Sequence, residues 1–188
     1  MIVDLNSRYG LTPAHSEVVE ACKIIEPCNA LDMGCSSGRN AVYLSQLGFN
    51  ITAIDANPNA IDMLKNIIIE ENMNNIKAQV YDINNANLSE DYGFISCTVT
   101  LMFTDPARID AIISDMHKCT QPGGYNLIVC AMNTEEHPCP VPFPFTFKAG
   151  QLRETYEGWK QIKYNEDVGT MHNGMKLQFA TILAQKPN

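Results

Sequence analysis

Positive charge, tryptophan and long apolar runs are all in short supply in this chain. Its 13 lysines and arginines face 21 aspartates and glutamates, a formal net charge of −8 over 188 residues. A field of that sign repels phosphate backbones, so nucleic acid is not expected as a partner. No window approaches the roughly 18 to 20 consecutive apolar residues of a membrane span. The start, Met1-Ile2-Val3-Asp4, has no basic segment leading into an apolar one, so a cytoplasmic protein without a membrane partner is expected. None of the seven cysteines pairs as Cys-x-x-Cys. The odd count, with several inside apolar runs, fits reduced thiols packed as small hydrophobes. No internal repeat or low-complexity tract stands out.

With 45% hydrophobic and 18% charged residues, the chain reads as one compact domain over residues 1–188. Three dipeptides pair a capping side chain with a proline suited to the first helical position: Thr12-Pro13, Asn57-Pro58 and Asp105-Pro106. Behind them run apolar stripes at three-and-four spacing: His15, Val18, Val19, Cys22 and Ile25; then Ala60, Ile61, Leu64, Ile67 and Ile68; then Ile109, Ile112, Ile113 and Met116. Between them lie strand candidates: Ala30 to Met33, Ile51 to Ile54, Ile76 to Tyr81, Phe94 to Thr100, and Tyr125 to Met132. The last follows the turn Gln121-Pro122-Gly123-Gly124.

Short strands apolar on both faces and separated by helices predict a doubly wound α/β fold, a mostly parallel sheet of about seven strands covered on both sides. Trp159 to Asn165 and Leu177 to Ala184 would close it with an antiparallel edge. Residues 1–29 form an N-terminal helical cap in this reading. Residues 133–149, with four prolines between Glu135 and Phe145, form a loop or lid. Chemistry is expected just after the strands, at their carboxyl ends.

There the first loop reads Leu31-Asp32-Met33-Gly34-Cys35-Ser36-Ser37-Gly38-Arg39-Asn40. Its Asp-x-Gly-x-x-x-Gly pattern resembles the glycine loop of S-adenosylmethionine (SAM) dependent methyltransferases and differs from the Gly-x-Gly-x-x-Gly of dinucleotide folds. Asp55, with Ala56 after it, ends the second strand twenty-one residues beyond Gly34, where a carboxylate accepts from ribose hydroxyls. Asp82-Ile83 ends the third, where that class grips adenine. Residues from Thr98 to Phe103, Met102 among them, would sit beneath the methionine half. The resemblance thus implies SAM as cofactor, S-adenosylhomocysteine as product, and a site of Asp32, Gly34, Cys35, Gly38, Arg39, Asn40, Asp55, Ala56, Asp82, Ile83, Thr98 and Met102. His15 and Tyr9 are each divided between packing and that pocket.

The sequence Thr98-Val99-Thr100-Leu101-Met102-Phe103 lacks the Asn/Asp-Pro-Pro-aromatic signature of base methylation. His137-x-Cys139 offers too few ligands for zinc, so no metal is expected. Over nearly the whole chain, Thr12 to Val18, Lys118 to Val129, the Pro/Phe run Val141 to Lys148, and Tyr164-Asn165-Glu166-Asp167-Val168-Gly169 resemble the TehB tellurite-resistance methyltransferases. The chain itself is expected to be a monomer or homodimer, and that resemblance implies methylation of tellurite, and of selenite-type oxyanions, as small-molecule substrates. It also implies a substrate-orienting role for His172, which by itself reads as an exposed loop histidine. Arginines of the family's loop have no counterpart in Met171 to Lys176, leaving Lys176 or Arg39 to supply the cation. Two other readings stay open: a methyltransferase of another small molecule (thiol, amine or carboxylate), and a SAM-binding sensor without turnover.

Overall fold

The computed structural model describes residues 4–170 and 174–188. The apolar runs become strands β1 (Asn29–Met33), β2 (Asn50–Asp55), β3 (Ile76–Val80), β4 (Tyr92–Thr98) and β5 (Thr120–Ala131), followed by β6 (Lys160–Thr170) and β7 (Lys176–Gln185). All seven join one sheet in the order β3-β2-β1-β4-β5-β7-β6. Pairing is parallel from β3 through β5, and β7 runs antiparallel to both β5 and β6. The two closing stretches are therefore the edge ribbon, with the reversed strand one place in from the rim.

Successive strand residues feed opposite cores, which is why the runs are apolar throughout. Leu31, Met33, Ile95, Cys97 and Ile128 pack with Ile112, Ile113 and Met116 of α5 (Ile109–Cys119) on one face. Ala30, Ile51, Ala53, Phe94 and Leu127 pack on the other. There they meet α2 (Ser16–Ala21), α3 (Arg39–Gln46) and α4 (Pro58–Glu70), beside the short α1 (Leu5–Arg8).

Helix starts follow the capping dipeptides in two cases and depart in one. Asn57 caps α4 through the Asn59 amide. Asp105 caps a 3₁₀ turn at Pro106–Arg108 that runs into α5. Thr12-Pro13 does not open a helix: α2 begins at Ser16 with His15 as its cap. The reason is tertiary, since the His15 backbone N–H donates to Asn40 Oδ1 at 2.9 Å and holds that residue in an extended conformation outside the helix.

Residues 133–149 contain no helix or named strand. Phe147 is buried in the α5-side core, and the Phe145 amide donates to the Met102 carbonyl. Strand order reverses between β1 and β4, so the crevice lies at their carboxyl ends, between the loop at Gly34 and the turn at Val99 and Thr100.

Candidate active site

Three adjoining basins occupy that crevice. The first, about 450 Å³, is bordered by Asp55, Ala56, Tyr81, Asp82, Ile83 and Phe103. The second, about 380 Å³, runs along the glycine loop past Cys35, Gly38, Asn40 and Thr98. The third, about 530 Å³, opens between α2 and the β6–β7 ribbon, against His15, Arg39, Asn165, Asp167 and Thr181. Gly34 and Ser36 border the first two, Arg39 the second and third, and Val99 all three.

The loop takes its shape from left-handed residues: Gly34 at φ +75°, Ser36 at +49° and Gly38 at +95°. Gly34 and Cys35 both donate to the Ile54 carbonyl, which ties the loop to β2. Asp55 then accepts the Ser36 amide on one oxygen and the Asn57 amide on the other, both at 2.8 Å. Its carboxylate is thereby locked at the rim with lone pairs left for hydroxyl donors. Asp82 is anchored through one oxygen, its Oδ1 accepting both the Asn84 amide and the Asn84 side chain at 2.9 Å.

Asp32 lies behind the loop and is fully buried. Its Oδ1 accepts from Ser96 at 3.1 Å, and its Oδ2 has no partner. Burial pushes its carboxyl up to about 6 against the opposing pull of the Ser96 hydroxyl, the Asn40 amide and the Arg39 charge. Asn40 links the loop outward, donating to Thr98 Oγ1 and accepting from the His15 backbone. Arg39, its guanidinium held to Thr12 Oγ1 at 3.3 Å, is partly desolvated, and burial lowers its pKa.

These groups fit SAM. Asp55 and Asp82 are acceptors for hydroxyl and amino groups at the rim of the first basin, while buried Asp32 supports the loop from behind. The start of α3, at Arg39 and Asn40, offers backbone amides toward an amino-acid carboxylate.

Three expected cofactor residues border none of the basins: Asp32 (buried behind the loop), Tyr9 and Met102. Tyr9 ends α1 and turns away, its hydroxyl donating to Glu70 and Glu71 at the end of α4. Met102 is fully buried in the α5-side core, because the 3₁₀ turn Leu101–Phe103 rolls it inward and puts Phe103 at the rim instead. Phe103 therefore borders the basin of Asp82 and Ile83 and not a methionine subsite. His15 borders the third basin and neither the first nor the second, although its backbone N–H donates to Asn40 of the glycine loop. Lys176 is exposed at the start of β7 and borders none of the three basins, and His172 lies outside the described residues. Among the described residues no cluster of three or more metal-ligating side chains occurs, and no helix is long and apolar enough to cross a membrane.

The sheet order, the single reversed strand and the crevice define the SAM-dependent methyltransferase fold. The chain belongs to the tellurite resistance protein TehB family, whose model matches residues 4–183. It is 46% identical over 187 residues to a probable S-adenosyl-L-methionine-dependent methyltransferase TehB of Haemophilus influenzae (strain 10810), covering 96% of this chain and 65% of that one. A protein of Eikenella corrodens named hemagglutinin 1 is 43% identical over 188 residues, covering 97% of this chain and 62% of its own length. The crystal structure of TehB from Haemophilus influenzae superposes with a TM-score of 0.93 at 47% identity, over 96% of this chain and 65% of that one. The chain thus spans just under two thirds of these relatives' length. A coclaurine N-methyltransferase bound to N-methylheliamine and SAH shares the fold at a TM-score of 0.73 and 11% identity, over 91% of this chain and 72% of that one.

Proposed function

We propose that this chain is a SAM-dependent methyltransferase whose acceptor is a small chalcogen oxyanion, tellurite or selenite. The observation that carries the reading is the third basin, which meets the glycine-loop basin at Arg39 and Val99. Membership of the tellurite resistance protein family supports it, and the name of the Haemophilus influenzae relative supports SAM-dependent methyl transfer without naming an acceptor.

SAM supplies an electrophilic methyl on a sulfonium, which a lone pair on Te(IV) or Se(IV) takes by in-line displacement, leaving S-adenosylhomocysteine. The nucleophile carries no proton, so the chain needs no general base for this step. Its task is placement, because holding reactants about 3–3.5 Å apart and aligned removes a large part of the barrier. Asp55 and Asp82 fix one end of the cofactor through locked carboxylates. Arg39, at the junction of two basins, neutralises the oxyanion. Phe103, at the rim of the first basin, meets Phe143 edge to face at 5.3 Å.

A second reading, methylation of an amine, is favoured by the Asp167 carboxylate beside the third basin. S-adenosylhomocysteine release from SAM, measured with tellurite, selenite, small amines and no acceptor, separates the two. Oxyanion-dependent release supports the first reading, and amine-dependent release overturns it.

A further inference from the structure

The third basin has donors on one wall and an acceptor on the other. On the α2 side, His15 Nδ1 accepts the Glu17 amide at 3.2 Å. That bond is possible only with Nδ1 unprotonated, so the ring carries its proton on Nε2 and presents an N–H edge. Burial and the charges of Arg39 and Lys163 hold the ring neutral against the pull of Glu17. Its backbone is pinned by Asn40, which fixes the ring beside Arg39 at the start of α3.

On the opposite wall, β6 alternates its side chains between faces. Lys163 reaches Glu17 of α2 at 2.6 Å, so Lys163, Asn165 and Asp167 share the face turned to α2. Tyr164 and Glu166 hydrogen-bond to each other on the other face. Glu17 is thereby neutralised, and Asp167, opposite Phe179 of β7, brings an acceptor to the basin.

We propose that this basin selects the monoprotonated form of a chalcogen(IV) oxyanion, with His15 Nε2–H and Arg39 donating to its unprotonated oxygens and Asp167 accepting from its hydroxyl. The proposal rests on the oxyanion reading above and deepens it. A fully ionised oxyanion has no proton to give Asp167 and meets its charge at close range. A carboxylate that only walled the basin would repel every anion, so the sign of its removal separates the two roles.

The test uses the full chain with S-adenosylhomocysteine, titrated calorimetrically with sodium selenite and with sodium tellurite, beside His15→Asn and Asp167→Ala. Asn keeps an N-capping oxygen for the Glu17 amide but lacks the Nε2–H edge. The expected result for His15→Asn is an unchanged melting temperature with binding weakened roughly tenfold, the size of one charge-assisted hydrogen bond. Asp167→Ala, on an exposed stretch of the edge strand, also weakens binding. Tighter or unchanged binding by Asp167→Ala, unchanged binding by a folded His15→Asn, or no binding by the parent chain overturns the proposal. Long-range ¹H–¹⁵N spectra of the parent histidines give a readout independent of both variants: His15 must show the Nε2–H tautomer and shift with selenite. Binding without oxyanion-dependent release from SAM supports this site while removing the methyl-transfer reading. Release unaffected by both variants does the reverse.

Discussion

A side chain on Gly34 would collide with Thr100 across the crevice: an ideally placed Cβ falls 2.1 Å from Thr100 Cγ2 and 2.3 Å from its Oγ1. The glycine loop and the turn after β4 are therefore in direct contact, and Gly34 also sits at φ +75°. Gly34→Ala should cost about 2–4 kcal/mol from the unfavourable backbone conformation and the overpacking together. Chemical denaturation of Gly34→Ala and of Gly34→Ala/Thr100→Gly tests this, and the second change should restore part of the loss.

Asp55 joins the loop to β2 through the Ser36 and Asn57 amides and faces the first basin. A saturating ligand adds about 2.7 kcal/mol at a hundredfold excess over its dissociation constant. SAM should therefore raise the melting temperature of the parent chain, and Asp55→Ala should abolish that rise. A normal rise in the variant would remove Asp55 from the cofactor site.

Two buried groups should tilt stability with pH in opposite directions over nearly the same range. His117 stacks against Tyr156 and Trp159 with its Nε2 unpartnered, and burial, helped by the Lys186 charge, lowers its pKa from 6.5 to about 4. Between those values the unfolded chain binds more protons, so the His117 contribution grows as pH rises from 4 to 6.5 and is complete above that. Asp32 is raised from 3.8 to about 6. Between those values the folded chain binds more protons, and stability from this group falls as pH rises. The two contributions, each about 1–3 kcal/mol after allowance for screening, largely cancel. Asp32→Asn should expose a rising slope and His117→Phe a falling one in urea titrations from pH 4 to 7. Parallel slopes in the two variants would contradict both assignments.

Arg39 is the cation shared by two basins. Arg39→Lys keeps the charge but loses the planar fork, and should raise the acceptor KM about tenfold with SAM binding unchanged. Arg39→Ala should raise it further. A defect confined to SAM binding would reassign the residue to the cofactor.

The alternation of strands and helices was legible because both faces of β1, β4 and β5 are buried, which leaves unbroken apolar runs. Asp55 and Asp82 were legible because strand ends are where side chains enter the crevice. What stayed hidden depends on contacts distant in sequence. Thr12-Pro13 has the local chemistry of a helix start, but Asn40 holds His15 outside the helix. Met102 and Phe103 are adjacent apolar residues, and only the 3₁₀ turn decides which is buried. The place of Asp167 follows from its register opposite Phe179, which β6 alone does not reveal.

Val99 has a consequence for how such a site can change. It is β-branched yet left-handed, at φ +58°, a conformation costing about 1–2 kcal/mol, and its amide is held by the Val129 carbonyl at 2.7 Å. Among the described residues it is also the one wall that all three basins have in common. Altering position 99 would therefore perturb cofactor and acceptor together, so new acceptor preferences are accessible mainly by drift at the outer positions 15, 165, 167 and 181. Position 99 acts as a hub, and the periphery of the third basin can vary without retuning the rest.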